Sequence, residues 1–108
     1  MYVIKISTDF SETPGARHRS EGEYPGEEFR DQILIPKYKE STNKGKKLVV
    51  DLDGCYGYAT SFLEESFGGM VRVLKKKGIM KNIELISTED ETLVKLINEY
   101  VKEAEELL

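Results

Sequence analysis

The segment Lys47-Leu48-Val49-Val50-Asp51-Leu52-Asp53-Gly54 constrains the fold more than any other part of the chain. Leu48, Val49 and Val50 form an unbroken apolar run, Leu52 follows, and acidic and turn-forming residues then close it. A strand with one solvated face alternates apolar and polar residues, whereas a continuous run suits a central strand covered on both faces. The flanking segments supply helices to cover it. Glu27 and Glu28 sit where a helix N-terminus favours negative charge, so a first helix starts near Gly26. Its stripe is Phe29, Ile33 and Leu34, and Pro36 should end or kink it. Ser61 with Glu64 has the spacing of a capping box, and Leu63, Phe67, Met70, Val71 and Leu74 recur behind it at helical intervals. Lys75 to Lys77 then suit the negative end of the helix dipole, and Gly78 is placed to cap it.

Tyr2 to Ile6 reads as a strand with Tyr2, Ile4 and Ile6 on one face, and Asn82 to Ile86 as another short strand. Thr88 with Glu91 repeats the capping-box spacing before a third helix on Leu93, Ile97, Tyr100, Val101, Ala104 and Leu107. The polar stretch from Thr8 to Gly26 is long for a loop in a small domain, so it either has a function or hides a strand, for which Ala16 to Ser20 is the candidate. The order β, loop, α, β, α, β, α implies a parallel or mixed sheet with helices against it. Residues 1–108 hold a single domain, with no internal repeat.

Composition narrows the class of function. Sixteen basic against twenty acidic residues give a net charge of −4, which argues against a nucleic-acid surface. One cysteine, Cys55, and one histidine, His18, provide neither an internal disulfide nor a Cys/His metal cluster. No segment approaches a membrane span and the N-terminus lacks a signal-peptide pattern, so a cytoplasmic protein without a cofactor is expected.

Chemistry concentrates in VVDLDGCYGYATSFLEESFGG, residues 49–69. Ligands and partners of open α/β sheets gather at the carboxyl ends of the strands. That places Asp51, Asp53, the loop from Gly54 to Thr60 and the helix start at Ser61 together. An apolar strand followed by Asp-x-Asp-Gly resembles the first motif of haloacid-dehalogenase-type phosphatases. That resemblance implies a magnesium-dependent phosphohydrolase, with Asp51 as nucleophile and Asp53 as general acid/base. Against it, about half the chain precedes the motif, and the part that follows is short for the strands carrying a phosphate-gripping Lys and a second acidic pair.

A second set of strings covers more of the chain. Asp9-Phe10-Ser11, Pro14-Gly15-Ala16-Arg17, Glu21-Gly22, Gly26-Glu27-Glu28-Phe29-Arg30 and Ile35-Pro36 precede Asp51-Leu52-Asp53-Gly54, Gly57-Tyr58 and Ser61-Phe62-Leu63-Glu64-Glu65-Ser66-Phe67-Gly68-Gly69. Together they resemble the bacterial STAS-like family, over roughly residues 8–75. The tract ending in the double glycine is the most specific part. The family is related to the STAS domains of anti-sigma factor antagonists. The resemblance implies an α/β domain with a mixed sheet of about four strands and three helices packed against it. It also implies a non-catalytic signalling module with a protein partner of the histidine-kinase-like ATPase fold. In the antagonists a Ser in an Asp-Ser-Ser-Gly-type turn at a helix N-terminus is phosphorylated. Here the turn reads Ala59-Thr60-Ser61-Phe62, which makes Ser61 the phosphorylation candidate, with Thr60 where the antagonists carry Asp.

The expected partner surface comprises Asp53, Tyr56, Tyr58, Thr60, Ser61, Glu64, Gly68, Gly69 and Arg17. Each has a plainer reading. Ser61 is most simply an N-cap. Arg17 is either solvated or pairs with Asp51, Asp53 or Glu64 and pins the long loop. Tyr56 and Tyr58 form an aromatic contact surface, or one of the rings is buried. Glycine inside a helix costs roughly 1 kcal/mol relative to alanine, so Gly68 and Gly69 mark a close approach by the sheet or by a second subunit of a homo-oligomer. Cys55 lacks a neighbouring base other than His18 and is a poor nucleophile.

Overall fold

A computed structural model describes residues 2–108. Strands β1 (Tyr2–Lys5), β2 (Leu48–Asp51) and β3 (Ile83–Ile86) form one sheet in the order β1-β2-β3. Both pairings are parallel, with Ile4 opposite Val50 and Val50 opposite Leu85. The sheet is therefore three-stranded and wholly parallel rather than mixed with about four strands. The Ala16 to Ser20 segment expected to hide a strand instead leads into a 3₁₀ turn at Arg19–Glu21.

Three long helices accompany the sheet: α1 (residues 26–43), α2 (residues 60–74) and α3 (Thr92–Glu106), and the single turn Ile6–Asp9 makes a fourth. Ile6 thus leaves the sheet, because its turn begins where β1 ends, yet it stays fully buried. Burial alternates along the strands. Ile4, Leu48, Val50 and Ile83 are buried, whereas Val3 and Glu84 are exposed and Val49 between them is half-buried. The helices therefore cover one face of the sheet. The apolar run of β2 is central in strand order but is not enclosed on both faces.

Two helices contain π-helical segments, Arg30–Leu34 in α1 and Glu64–Gly68 in α2. In α1 the wide turn precedes Pro36, whose missing N–H and bulky ring disrupt a regular ladder. The helix absorbs the proline and continues to Asn43. In α2 the extra residue per turn rotates the apolar stripe, so Phe62 and Leu63 ahead of it and Phe67, Met70 and Val71 within and after it are all fully buried. Phe62 joins Phe29 and Phe10, with ring centroids 5.4–6.0 Å apart. Phe10 thereby anchors the long N-terminal loop to the core.

Neither capping box forms. The N-cap of α2 is Ala59, and Glu64 is engaged elsewhere. At α3, Asp90 accepts from the Thr92 backbone N–H at 3.0 Å, while Thr88 donates to Asp53. At the end of α2, Lys75 itself adopts the left-handed conformation expected of Gly78 (φ 51°), and Gly78 opens the following turn Ile79–Asn82.

Candidate functional site

Parallel strands bring all their carboxyl ends to one edge, and the acidic pair of the Asp-x-Asp-Gly string lies there. Asp51 accepts the Asp53 backbone N–H at 2.9 Å on one oxygen and lies 3.3 Å from the Lys5 Nζ on the other. Asp53 accepts from the Thr88 hydroxyl and N–H at 2.6 and 3.2 Å on Oδ2, and from the Glu89 N–H at 3.0 Å on Oδ1. The bond from the Thr88 hydroxyl, followed by that from the Glu89 N–H, holds the Asp53 carboxyl below the usual range. Its role in the fold is to tie the loop after β3 to the end of β2.

The intervening loop, residues 53–59, is braced along its length. Gly54 N–H donates to Glu89 Oε1 at 2.7 Å, Tyr56 N–H to the Glu12 carbonyl at 2.9 Å and the Tyr58 hydroxyl to the Leu52 carbonyl at 2.8 Å. The Cys55 thiol reaches the Ser11 carbonyl at 3.4 Å. The two tyrosines divide the roles weighed for them. Tyr58 leans on Phe62, with centroids 6.1 Å apart, and burial pushes its hydroxyl strongly up. Tyr56 is 85% exposed. Burial also raises the Cys55 thiol, so it does not ionise readily. Between this loop and the start of α3 lies a cleft of about 310 Å³, lined by Leu52, Tyr56, Tyr58, Glu89, Asp90 and Leu93 among others.

A second cluster lies along α2. Arg17 pairs with Glu64 and approaches Glu65 at 3.3 Å, Arg72 donates to Glu64 at 2.7 Å, and Arg30 pairs with Glu65 and with Asp31 at 2.8 Å. Arg17 therefore pins the long loop to α2, not to Asp51 or Asp53 across the strand ends. This network also accounts for the double glycine. A Cβ at Gly68 would lie 2.5 Å from Glu64 Oε2, and one at Gly69 would lie 2.8 Å from Arg30 Nη1 and 2.9 Å from Glu65 Oε2. Within the chain, what approaches the two glycines is a set of ion-paired side chains rather than the sheet. Both glycines, expected on the contact surface, are buried within the chain. A third glycine marks a tight helix crossing. Gly26 starts α1 so close to α2 that a Cβ would lie 2.7 Å from the Phe62 carbonyl oxygen.

The remaining candidates, Thr60 and Ser61, open α2. Thr60 is exposed and Ser61 half-exposed in the first turn of α2, and the Ser61 hydroxyl makes no hydrogen bond among the described residues. A family model described as a STAS-like domain of unknown function matches residues 25–93. The chain belongs to that STAS-like family. The match runs from the start of α1 through β2, α2 and β3 into α3, so it includes Asp51 to Gly69 but leaves out β1 and the loop with Phe10 and Arg17. Comparison with curated proteins and with solved structures finds no match. Among the described residues, no helix of this STAS-like chain is long and apolar enough to cross a membrane, and no three His, Cys, Asp or Glu side chains gather as a metal site.

Proposed function

We propose that this STAS-like domain is a non-catalytic regulatory module that binds a protein partner through the loop from Gly54 to Thr60 and the first turn of α2. The observation that carries this reading is Tyr56, which projects into solvent from a loop whose backbone is fastened on both sides. An exposed aromatic ring costs little conformational entropy to immobilise, and tyrosine is enriched where binding energy concentrates. The partner class that the STAS relationship suggests is a histidine-kinase-like ATPase or another signalling protein. A phosphate on Ser61 would bring about −1.5 to −2 charges one turn before Glu64 and Glu65. At a binding interface that charge would have to be desolvated beside Glu64 and Glu65, which costs several kcal/mol, and it would compete for Arg17, leaving the sheet untouched.

The alternative, a phosphohydrolase using Asp51 and Asp53, requires carboxylate oxygens free for a cation and for attack. The bonds to Lys5, Thr88 and Glu89 favour the binding module over it.

The test uses immobilised parent, Tyr56→Ala, Ser61→Asp and Ser61→Ala proteins exposed to lysate of the native cell, with quantitative mass spectrometry and a thermal melt of each. The parent and Ser61→Ala should retain the same partner and Tyr56→Ala and Ser61→Asp should lose it, all four melting alike. Identical capture by all four proteins would overturn the proposal. So would hydrolysis of a generic phosphate ester with magnesium that disappears in Asp51→Asn.

A further inference from the structure

The cleft beside Tyr56 has a composition that selects among partners. Its floor is apolar, formed by Leu52, Leu93 and the ring of Tyr58, and Tyr56 stands exposed at its rim. Its wall carries three carboxylates, Asp53, Glu89 and Asp90, beside the neutral Ser87 hydroxyl and Cys55 thiol. Glu89 uses Oε1 to accept from Gly54 N–H and Asp90 uses Oδ1 to accept from Thr92, so each carboxylate keeps a second oxygen with no partner among the described residues. Lys5, at the end of the neighbouring strand, is engaged by Asp51 at 3.3 Å.

Such a wall repels phosphate and carboxylate groups and attracts a cation. We infer that the cleft seats an arginine side chain presented by a protein partner, an inference that rests on the proposed binding role and names the chemistry of the contact. A planar guanidinium can stack on the exposed Tyr56 ring while forking onto the free oxygens of Glu89 and Asp90, and its methylenes can lie over Leu93. A volume of about 310 Å³ is at the small end for ligand pockets, which suits one long side chain better than a nucleotide. The braced loop holds the aromatic and acidic groups in place before binding, so little ordering remains to oppose it.

The experiment titrates ¹⁵N-labelled protein with the capped tripeptide Gly-Arg-Gly, with Gly-Glu-Gly and with spermidine, following amide shifts by NMR. The arginine peptide should give saturable shifts at Cys55, Tyr56, Gly57, Glu89 and Asp90, weakening as salt is raised. Gly-Glu-Gly should give none. Tyr56→Ala should weaken binding roughly two- to fivefold, the range of an exposed cation–π contact. Glu89→Gln, whose amide oxygen still accepts from Gly54, should weaken it similarly. Absence of saturable shifts, or equal shifts with the glutamate peptide, would overturn the inference. Tighter binding of spermidine than of the arginine peptide would also overturn it, in favour of a small polyamine. If Tyr56→Ala loses the cellular partner while the cleft ignores the arginine peptide, this inference fails and the interaction surface stands. If the peptide binds but capture is indifferent to Tyr56, both fail.

Discussion

Alanine at Gly26 would set a methyl carbon 2.7 Å from the Phe62 carbonyl oxygen and 3.0 Å from the Glu65 Cβ. Both atoms belong to the first turns of α2, and neither is the free end of a flexible side chain. Relief needs the two helices to separate by about 0.7 Å to regain ordinary contact, yet Phe62 is fully buried against Phe29 and Phe10. Forcing extra volume into a packed contact costs about 1–3 kcal/mol. Gly26 is the first helical residue, so the propensity gain of about 1 kcal/mol that alanine brings to a helix interior is mostly absent there. The expected net loss is about 2 kcal/mol, which at roughly 4–8 °C per kcal/mol lowers the Tm by roughly 8–16 °C. Gly68→Ala is the control. There the crowded atom is Glu64 Oε2, the tip of a side chain 22% exposed, which can swing aside. Loss of a partly exposed ion pair, about 0–1 kcal/mol, roughly cancels the propensity gain, so Gly68→Ala should remain within about 1 kcal/mol of the parent. Thermal and urea unfolding followed by circular dichroism measure both. A Gly26→Ala protein as stable as the parent, or less affected than Gly68→Ala, would refute the close-crossing argument.

Glu65→Ala should destabilise by about 3 kcal/mol in urea unfolding, because Arg30 stays buried with Asp31 as its remaining partner. The double change Arg30→Met with Glu65→Leu should lose less than Glu65→Ala alone, since no unpaired charge remains inside. Burial by itself would raise the Glu64 carboxyl, but hydrogen bonds from Arg72 and Arg17 outweigh it and hold it below its ordinary 4.5. A carboxyl depressed on folding contributes stability that is fully present above 4.5 and is lost as pH falls through its lower folded value. Melting curves through that acid range should therefore fall more steeply for the parent than for Glu64→Gln. Asp53→Asn should speed hydrogen exchange at Thr88 and Glu89, whose N–H groups it accepts, and leave the Val50 amide in the central strand protected.

Local chemistry was enough to place the three strands and the three long helices. The apolar run of β2, the helical recurrence of Phe67, Met70 and Val71 and the α/β alternation are properties of neighbouring residues, and tertiary contacts reinforced them. The strand-end loop was legible for the same reason, since parallel strands must deliver their following residues to one edge. What the chain order could not reveal was which distant side chains claim each local group. Ser61 with Glu64 has capping-box spacing, but Glu64 gains more from two arginines, one of them forty-seven residues away in sequence. Thr88 with Glu91 has it too, yet Thr88 is taken by Asp53. Pro36 looked like a helix end because a regular ladder cannot hold it, and a π-helical turn accommodated it. Gly68 and Gly69 announced a close approach, and only the fold showed that the visitors are Glu64, Arg72, Arg30 and Glu65. Sequence spacing determines which local bonds are available, and packing determines which of them form, because the fold brings distant charged and hydrogen-bonding groups, such as Arg17 and Asp53, within reach of the same atoms.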